Sequence, residues 1–286
     1  MGINKNQHYV SAFYLYNFTS DEQQLESKGK EKRDTKIHHF DVAQGSMKER
    51  PIEKLAVEPY MLSFKKEDGS YDHSLDDELK VIEDKASKAI RELNNVYKHL
   101  NKTKSKSVEI HNSLLESIVE FMCWQIRRHP DIVNDITGEC RRFLEKSGRK
   151  SDRAKEMALG VVKNIGQYDD SYDLFQELQK KNKVIVFTTS PEAQFVTSDY
   201  PFVRFNKNDR DGISIEGTEI YFPITSNMLL FMCGNGNRKE FRVENDKKIL
   251  RELNSYITRN AKRYIFGKSD VYIQRLVKNN SPDATT

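Results

Sequence analysis

Cysteine is scarce in this sequence, and the few present are badly placed for cysteine chemistry. Cys123, Cys140 and Cys233 are the three in 286 residues. They are widely spaced and form no CxxC pair, which excludes a disulfide framework and a cysteine zinc site and leaves buried thiols as the expectation. No apolar run approaches the roughly 20 residues that a membrane-spanning helix needs. The first residues have no apolar stretch ending in a small-residue cleavage site, and the sixth is Asn6 rather than the serine or threonine of a myristoylation signal. These absences set the expectation of a cytoplasmic protein with no membrane partner. There is no GxSxG elbow for a serine nucleophile and no HExxH for a zinc peptidase. Gly234-Asn235-Gly236-Asn237 lacks the lysine and the strand–glycine–helix order of a phosphate-binding loop. No repeat recurs, and no helix-turn-helix or zinc finger is present to organise DNA contact. An excess of one charge sign is also missing: 47 basic against 43 acidic residues leave a net charge of +4, only a weak pointer to nucleic acid.

The chain does have enough apolar residues to fold, 37% against 31% charged. Its most telling stretch comes first. Tyr9, Val10, Phe13, Tyr14, Leu15, Tyr16 and Phe18 crowd the beginning of the chain, where a tail would ordinarily fray. So much apolar area must dock on later parts of the chain, as a strand or extended arm, and His8 goes with it. Thr19 to Lys36 is polar and reads as an exposed turn before a strand at Ile37 to Val42. His38 and His39 there alternate faces and are poorly placed to share a metal. Pro51 to Tyr71 reads as a short helix and loops ending in the turn Asp68-Gly69-Ser70.

From Ser74 the period becomes helical. Leu79, Ile82, Ala86, Ile90, Leu93 and Tyr97 mark one helix, with Glu83 on the margin of its apolar stripe. A second runs from 107 to 129 and is closed by Pro130. Further helices are expected over 131–146, 152–164 and 170–181. The Lys98 to Lys106 loop and the basic neighbourhood of Arg141 to Lys155 are the places a polyanion could touch, with solvated surface as the plainer alternative. Alternation then signals strands at 184–187, 194–197, 202–205, 219–222 and 228–231, with a turn at 208–212. A helix capped by Asp246 runs through Tyr264, followed by a closing strand at 271–273. The expected fold class is α+β: a helical middle region packed against a small, mainly antiparallel sheet formed by N-terminal and C-terminal segments. One composite domain over 1–286 would comprise an N-terminal arm and strands (1–73), a helical lobe (74–182), a strand-rich lobe with one helix (183–276) and a disordered tail (277–286).

Two places carry candidate chemistry. Continuing the face of Ile118 and Phe121 by helical steps brings Gln125 and then Arg128 onto it, so an apolar stripe turns polar where an amide and a guanidinium need partners. Arg128 there either pairs structurally with a carboxylate such as Glu83 or, with Gln125, lines a polar pocket. Asp199 follows a strand and precedes Tyr200-Pro201. Proline restricts Tyr200 to an extended shape, and Thr197 and Ser198 offer hydroxyls. A carboxylate held in one orientation there suits a metal ligand, a general base or an imidazole partner; it equally suits a turn that ties off the strand.

The HYVxxFYLxxF pattern of His8 to Phe18, Thr197-Ser198-Asp199-Tyr200-Pro201 and Phe222-Pro223-Ile224 resemble the two ends of the DUF4238 family, which carries an N-terminal His-Tyr-Val-Pro motif and a later Ser-Asp-Asn-Pro motif. The likeness extends loosely over nearly the whole chain, including Gln125-Ile126-Arg127-Arg128-His129-Pro130. Ser11 stands where the family usually has proline, and Tyr200 where it usually has asparagine. The family has no established activity, so the resemblance implies fold boundaries more than function, and it draws attention to Asp199 because the second signature falls there.

If the N-terminal run lies against the C-terminal sheet, His8 and Asp199 could meet, and Glu83, Gln125 and Arg128 would complete the inventory. That set is compatible with a nuclease cleaving RNA or DNA phosphodiesters: His8 as acid/base, Asp199 and Glu83 as orienting carboxylates or ligands of a divalent metal, Arg128 as phosphate clamp, and Tyr9, Tyr14 and Ser198 against the substrate. It is also compatible with a nucleotide or small-molecule binding module in a toxin or defence setting, with a closed pocket lined by Tyr9, Tyr14 and Arg128. A third alternative is an interaction or structural protein in which the same residues form a buried polar network. Neither the presence of a metal nor the oligomeric state is readable from the sequence.

Overall fold

A computed structural model describes residues 5–103, 111–164, 174–192, 194–210 and 212–280. The lysines expected in the loop at 104–106, the start of the expected second helix at 107–110, residues 170–173 of the helix expected from 170, residue 211 of the expected turn and 281–286 of the expected tail lie outside them. The chain opens with β1 (Asn6–His8), α1 (Ala12–Tyr16), α2 (Asp21–Glu26), β2 (Lys36–Asp41) and β3 (Ser46–Pro51). β4 (Val57–Pro59), β5 (Phe64–Lys65) and β6 (Tyr71–Asp72) follow, and then the helices α3 (Ser74–Thr103), α4 (Asn112–Arg127), α5 (Pro130–Lys146), α6 (Ala154–Asn164) and α7 (Leu174–Gln179). The last part holds β7 (Lys181–Phe187), β8 (Thr197–Ser198), β9 (Val203–Phe205), β10 (Glu219–Thr225), β11 (Met228–Asn235), β12 (Lys239–Val243), α8 (Lys247–Asn260), β13 (Tyr264–Gly267) and α9 (Asp270–Asn280). The fold is α+β with a helical middle region. No described helix is long and apolar enough to cross a membrane.

Two larger sheets and two two-stranded ones, β1-β4 and β5-β6, carry the strands. The larger of the first two has the order β12-β7-β11-β10-β9 and is antiparallel except where β12 runs parallel to β7. Alternation along its strands feeds two cores. Ile185, Phe187, Ile220, Phe222, Leu230 and Met232 face a core shared with α3, α4 and the N-terminal aromatics, while Val186, Tyr221 and Leu229 face one shared with Leu250 and Ile257 of α8 and Ile273 of α9. The second sheet, β3-β2-β13-β8, interleaves the two ends of the chain: the N-terminal hairpin pairs through β2 with β13, and β13 pairs with β8. Among the described residues no cysteine forms a disulfide; Cys123 and Cys140 are buried and Cys233 is half-buried.

Several local expectations change. The aromatic run is not an extended arm, because β1 ends at His8 and the chain turns into α1. A helix places Tyr14 and Leu15 together on the core side, where Tyr14 stacks on Phe222 and lies tilted against Phe18 and Phe121. The supposed turn at Thr19–Lys36 contains α2, started by a reciprocal capping box between Ser20 and Gln23. At the other end, 271–273 is helical rather than a strand, and α9 makes a second helix in the C-terminal lobe and orders 277–280 of the supposed tail. Tyr264 leaves the expected helix for β13 because pairing with β2 satisfies its backbone. The alternating apolar pattern of 271–273 is too short to separate strand from helix.

Tyr14, expected against a substrate, is instead fully buried, with its hydroxyl bonded to Thr197 Oγ1 and Pro223 O, both at 2.7 Å. It ties α1 to β8 and β10. Tyr14→Phe should therefore cost about 1–3 kcal/mol by stranding those two partners, read as a lower urea midpoint with unchanged slope.

Candidate functional site

The α4–α5 corner, Arg128-His129-Pro130, builds the site. Pro130 cannot continue α4 but suits the first position of α5, and it holds His129 extended at ψ 136°. Two consecutive side chains thus leave one corner for two different neighbourhoods, and the end of β1 meets them with His8 and the next residue, Tyr9.

On the first side lie His8, Ser11, Glu83, Gln125 and Arg128. Arg128 is 2% exposed. Its Nη1 donates to Glu83 Oε1 at 2.7 Å, and its Nη2 donates to Ser11 Oγ. Ser11 Oγ donates in turn to Glu83 Oε1 at 2.6 Å. Ser11 occupies the N-cap position of α1, yet its hydroxyl makes no cap bond; it serves the ion pair instead. Gln125 is buried alongside, with Oε1 3.5 Å from Ser11 Oγ. Arg128 Nε and Gln125 Nε2 are buried donors with no hydrogen-bond partner among the described residues. Glu83 is the open member, its side chain 27% exposed. His8 is half-buried, and its Nε2 donates to Ile52 O at 3.2 Å, which leaves Nδ1 with the lone pair. Burial pushes the His8 pKa below the usual 6.5, and the nearby charges of Arg128 and Arg33 push the same way against the opposing pull of the Ile52 bond and Glu83. The imidazole is neutral at neutral pH. Lys32, lying over the Tyr16 ring, has its pKa lowered by burial and by the charge of Arg91, so cations from two elements gather close to α1.

On the other side lie Tyr9, His129, Asp199 and Arg263. Asp199 is 1% exposed, and its carboxylate accepts the backbone N–H groups of Lys262, Arg263 and Tyr264 at 3.0, 2.9 and 3.2 Å. It ties off β8 against the start of β13. His129 Nδ1 accepts from Asp131 N at 3.3 Å, so the proton sits on Nε2, which faces Asp199 Oδ2 at 3.7 Å. Tyr9 is buried, edge-on to His129, with the Arg263 guanidinium over its ring. Burial and the charge of Asp199 hold its phenol protonated. Arg263 pairs with Glu58 at 2.5 Å.

The expected meeting of His8 with Asp199 therefore gives way to two separate clusters. Among the described residues no hydrogen bond or ion pair joins them, and the imidazole facing Asp199 is His129. His8 at the end of β1 and Tyr9 in the bend just past it turn to different partners, His8 to Ile52 and Tyr9 to His129 and Arg263. Asp199 and Ser198 do not line an open site: Ser198 is fully buried, and its Oγ accepts from Tyr200 N at 3.2 Å. Glu83, Gln125 and Arg128 do come together, through Ser11, and His8 feels the charges of Arg128 and Glu83. Sequence reasoning missed Ser11, His129 and Arg263. In the sequence Ser11 stands out only as a departure from proline, and His129 stands beside Arg128. Nothing local marks Arg263. No described group of three or more His, Cys, Asp or Glu residues is placed to hold a metal ion.

Because three amides converge on Asp199, Asp199→Asn should lose about 2–3 kcal/mol of stability as one amide donor is turned into the nest, measured by urea denaturation. An unchanged midpoint would contradict this role for the carboxylate.

No curated protein and no solved structure gave a significant match. The family model described as "Protein of unknown function (DUF4238)" matches residues 6–271. The match spans β1 with its histidine, the α4–α5 corner and the Asp199 knot, and the chain belongs to the DUF4238 family.

Proposed function

We propose that the chain hydrolyses phosphodiester bonds of RNA or DNA at the His8–Ser11–Glu83–Gln125–Arg128 cluster. The observation that carries this reading is a neutral, partly exposed imidazole within electrostatic reach of the Glu83–Arg128 pair. His8 Nδ1 takes a proton from an attacking water as its oxygen bonds to phosphorus. The P–O bond to the leaving group breaks, and the proton passes to that oxygen. The positive charge of Arg128 beside His8 suits the charge growing on the non-bridging oxygens. Glu83 holds Arg128 and Ser11 in place. Lys32, Arg33 and Arg91 would draw in a polyanion. Asp199 acts at a distance, by fixing the β8–β13 junction against which Tyr9 packs.

A second reading, a polar lock between the two ends of the chain and the helices, is favoured by the burial of Arg128 and by how fully Ser11 and Asp199 are used. Labelled single- and double-stranded RNA and DNA, incubated with wild type and His8→Ala with and without divalent metal, separate the two. Hydrolysis predicts cleavage by wild type and a loss of about 100-fold or more in His8→Ala, with little change in melting temperature. The lock predicts no cleavage by either protein. The pH profile adds a signed check. A base must be unprotonated, so activity should hold above pH 6.5 and fall as pH drops through the lowered pKa of His8. The same group contributes stability that is present above pH 6.5 and lost in that acid range, so His8→Gln should flatten both limbs.

A further inference from the structure

A second feature lies outside the His8 cluster. The hairpin β5–β6, turned by Gly69 at φ 85°, and the start of α6 enclose a cleft of about 1240 Å³. Tyr60 and Tyr71 line it and stack with ring centroids 4.0 Å apart and planes 10° from parallel. Both are half-buried, so a ligand can reach them. Tyr60 has φ 50°, a left-handed conformation that bulky side chains avoid. Its amide donates to Lys5 O and its carbonyl accepts from Ser63 N, which fixes the ring at the cleft despite that cost.

Part of the charge around the cleft is already used. Lys66 pairs with Asp72 at 3.1 Å, and Arg153 makes a two-pronged contact with Glu156 at 2.8 and 2.9 Å. Lys155 differs. It lines the cleft, is half-buried, and has no ion-pair partner among the described residues; burial pushes its pKa down. A stacked aromatic pair and two ammoniums without an ion-pair partner among the described residues, the half-buried Lys155 and the exposed Lys65, thus share the cleft with the carboxylates of Glu67, Asp68 and Asp152. A sugar would use the rings and leave the ammoniums unanswered, and a bare phosphate would do the reverse. A nucleobase with its phosphate answers both. The cleft also adjoins β1. Pro59 and Tyr60 line it, and β4 carries Pro59 opposite Asn6 and Val57 opposite His8, a separation of two residues or about 7 Å.

We propose that this cleft binds one nucleotide unit of a single-stranded nucleic acid, the base stacking on the outer face of Tyr60, which Tyr71 backs from the other side, and the phosphate meeting Lys155. This deepens the hydrolytic reading, on which it rests for the ligand being part of a strand.

The test is fluorescence anisotropy of a fluorescein-labelled thymidine dodecamer. Binding is measured with full-length His8→Ala, which removes the proposed base, and cleavage with wild type. Tyr71→Ala and Tyr60→Gly should each weaken binding at least tenfold. Lys155→Met should weaken it and flatten its dependence on salt. Tyr60→Gly relieves the left-handed strain, so its melting temperature should hold or rise while binding falls, which a merely structural tyrosine would not show. Thymidine monophosphate that displaces the dodecamer supports a site for the free unit. An oligomer that is not displaced, yet is lost in all three variants, supports a site that reads the strand. No binding, or binding unchanged in the three variants, overturns the proposal. If the variants lose binding but wild type cleaves nothing, the cleft stands and the hydrolytic reading falls. If His8→Ala abolishes cleavage and the cleft variants bind normally, the reverse holds.

Discussion

A guanidinium taken almost wholly out of water has to be answered, and at Arg128 the answer organises the centre of the molecule. Leaving such a charge unpaired would cost several kcal/mol. Glu83 reaches it from α3 and Ser11 from the start of α1, so three separate elements meet at one cation. The position of α1 follows from this demand as much as from its aromatic side chains. Ser11 gives up the usual duty of an N-cap serine to serve Arg128. Phe121 adds its ring face near the same guanidinium.

The next residue carries the constraint to the other half of the molecule. His129, extended because Pro130 follows it, points towards Asp199 while Arg128 points towards Glu83. Asp199 in turn collects three backbone amides from the segment entering β13, and Asn260 at the end of α8 donates to the carbonyls of Tyr200 and Phe202. The turn after β8 is thereby held from both sides. β1 ends between the two clusters, with His8 on one and the next residue, Tyr9, on the other. The two family signatures are therefore linked through the α4–α5 corner, without direct contact between their leading residues. The outcome is one half-open cluster with a neutral imidazole and one closed cluster whose carboxylate serves the backbone.

Much of the architecture was legible because it rests on periodic burial. The stripes of α3 and α4, the Asp246 cap of α8 and the hairpin of β10 and β11 follow from local pattern. The polar end of the α4 stripe marked Gln125 and Arg128 because buried donors are unusual on such a face. Short segments read poorly. The few residues of α1 and the first turn of α9 carry patterns that suit either period, and pairing or packing elsewhere decided them. The strands of the larger sheet look almost continuously apolar for a physical reason: both faces are covered, one by the central helices and one by α8 and α9.

The sequence alone determined which residues had to be buried and where helices must stop, since apolar spacing, capping side chains and Pro130 act within a few residues. It also marked His8, Glu83, Gln125, Arg128 and Asp199 as side chains needing partners. Only the tertiary structure decided who the partners are. Consecutive side chains at His8–Tyr9 and at Arg128–His129 diverge, so each pair is split between two clusters, and that division depends on how a strand and a helix corner meet across the core. The cleft of Tyr60, Tyr71 and Lys155 likewise exists only once the β5–β6 hairpin and α6 come together, because no local pattern joins residues from such distant parts of the chain.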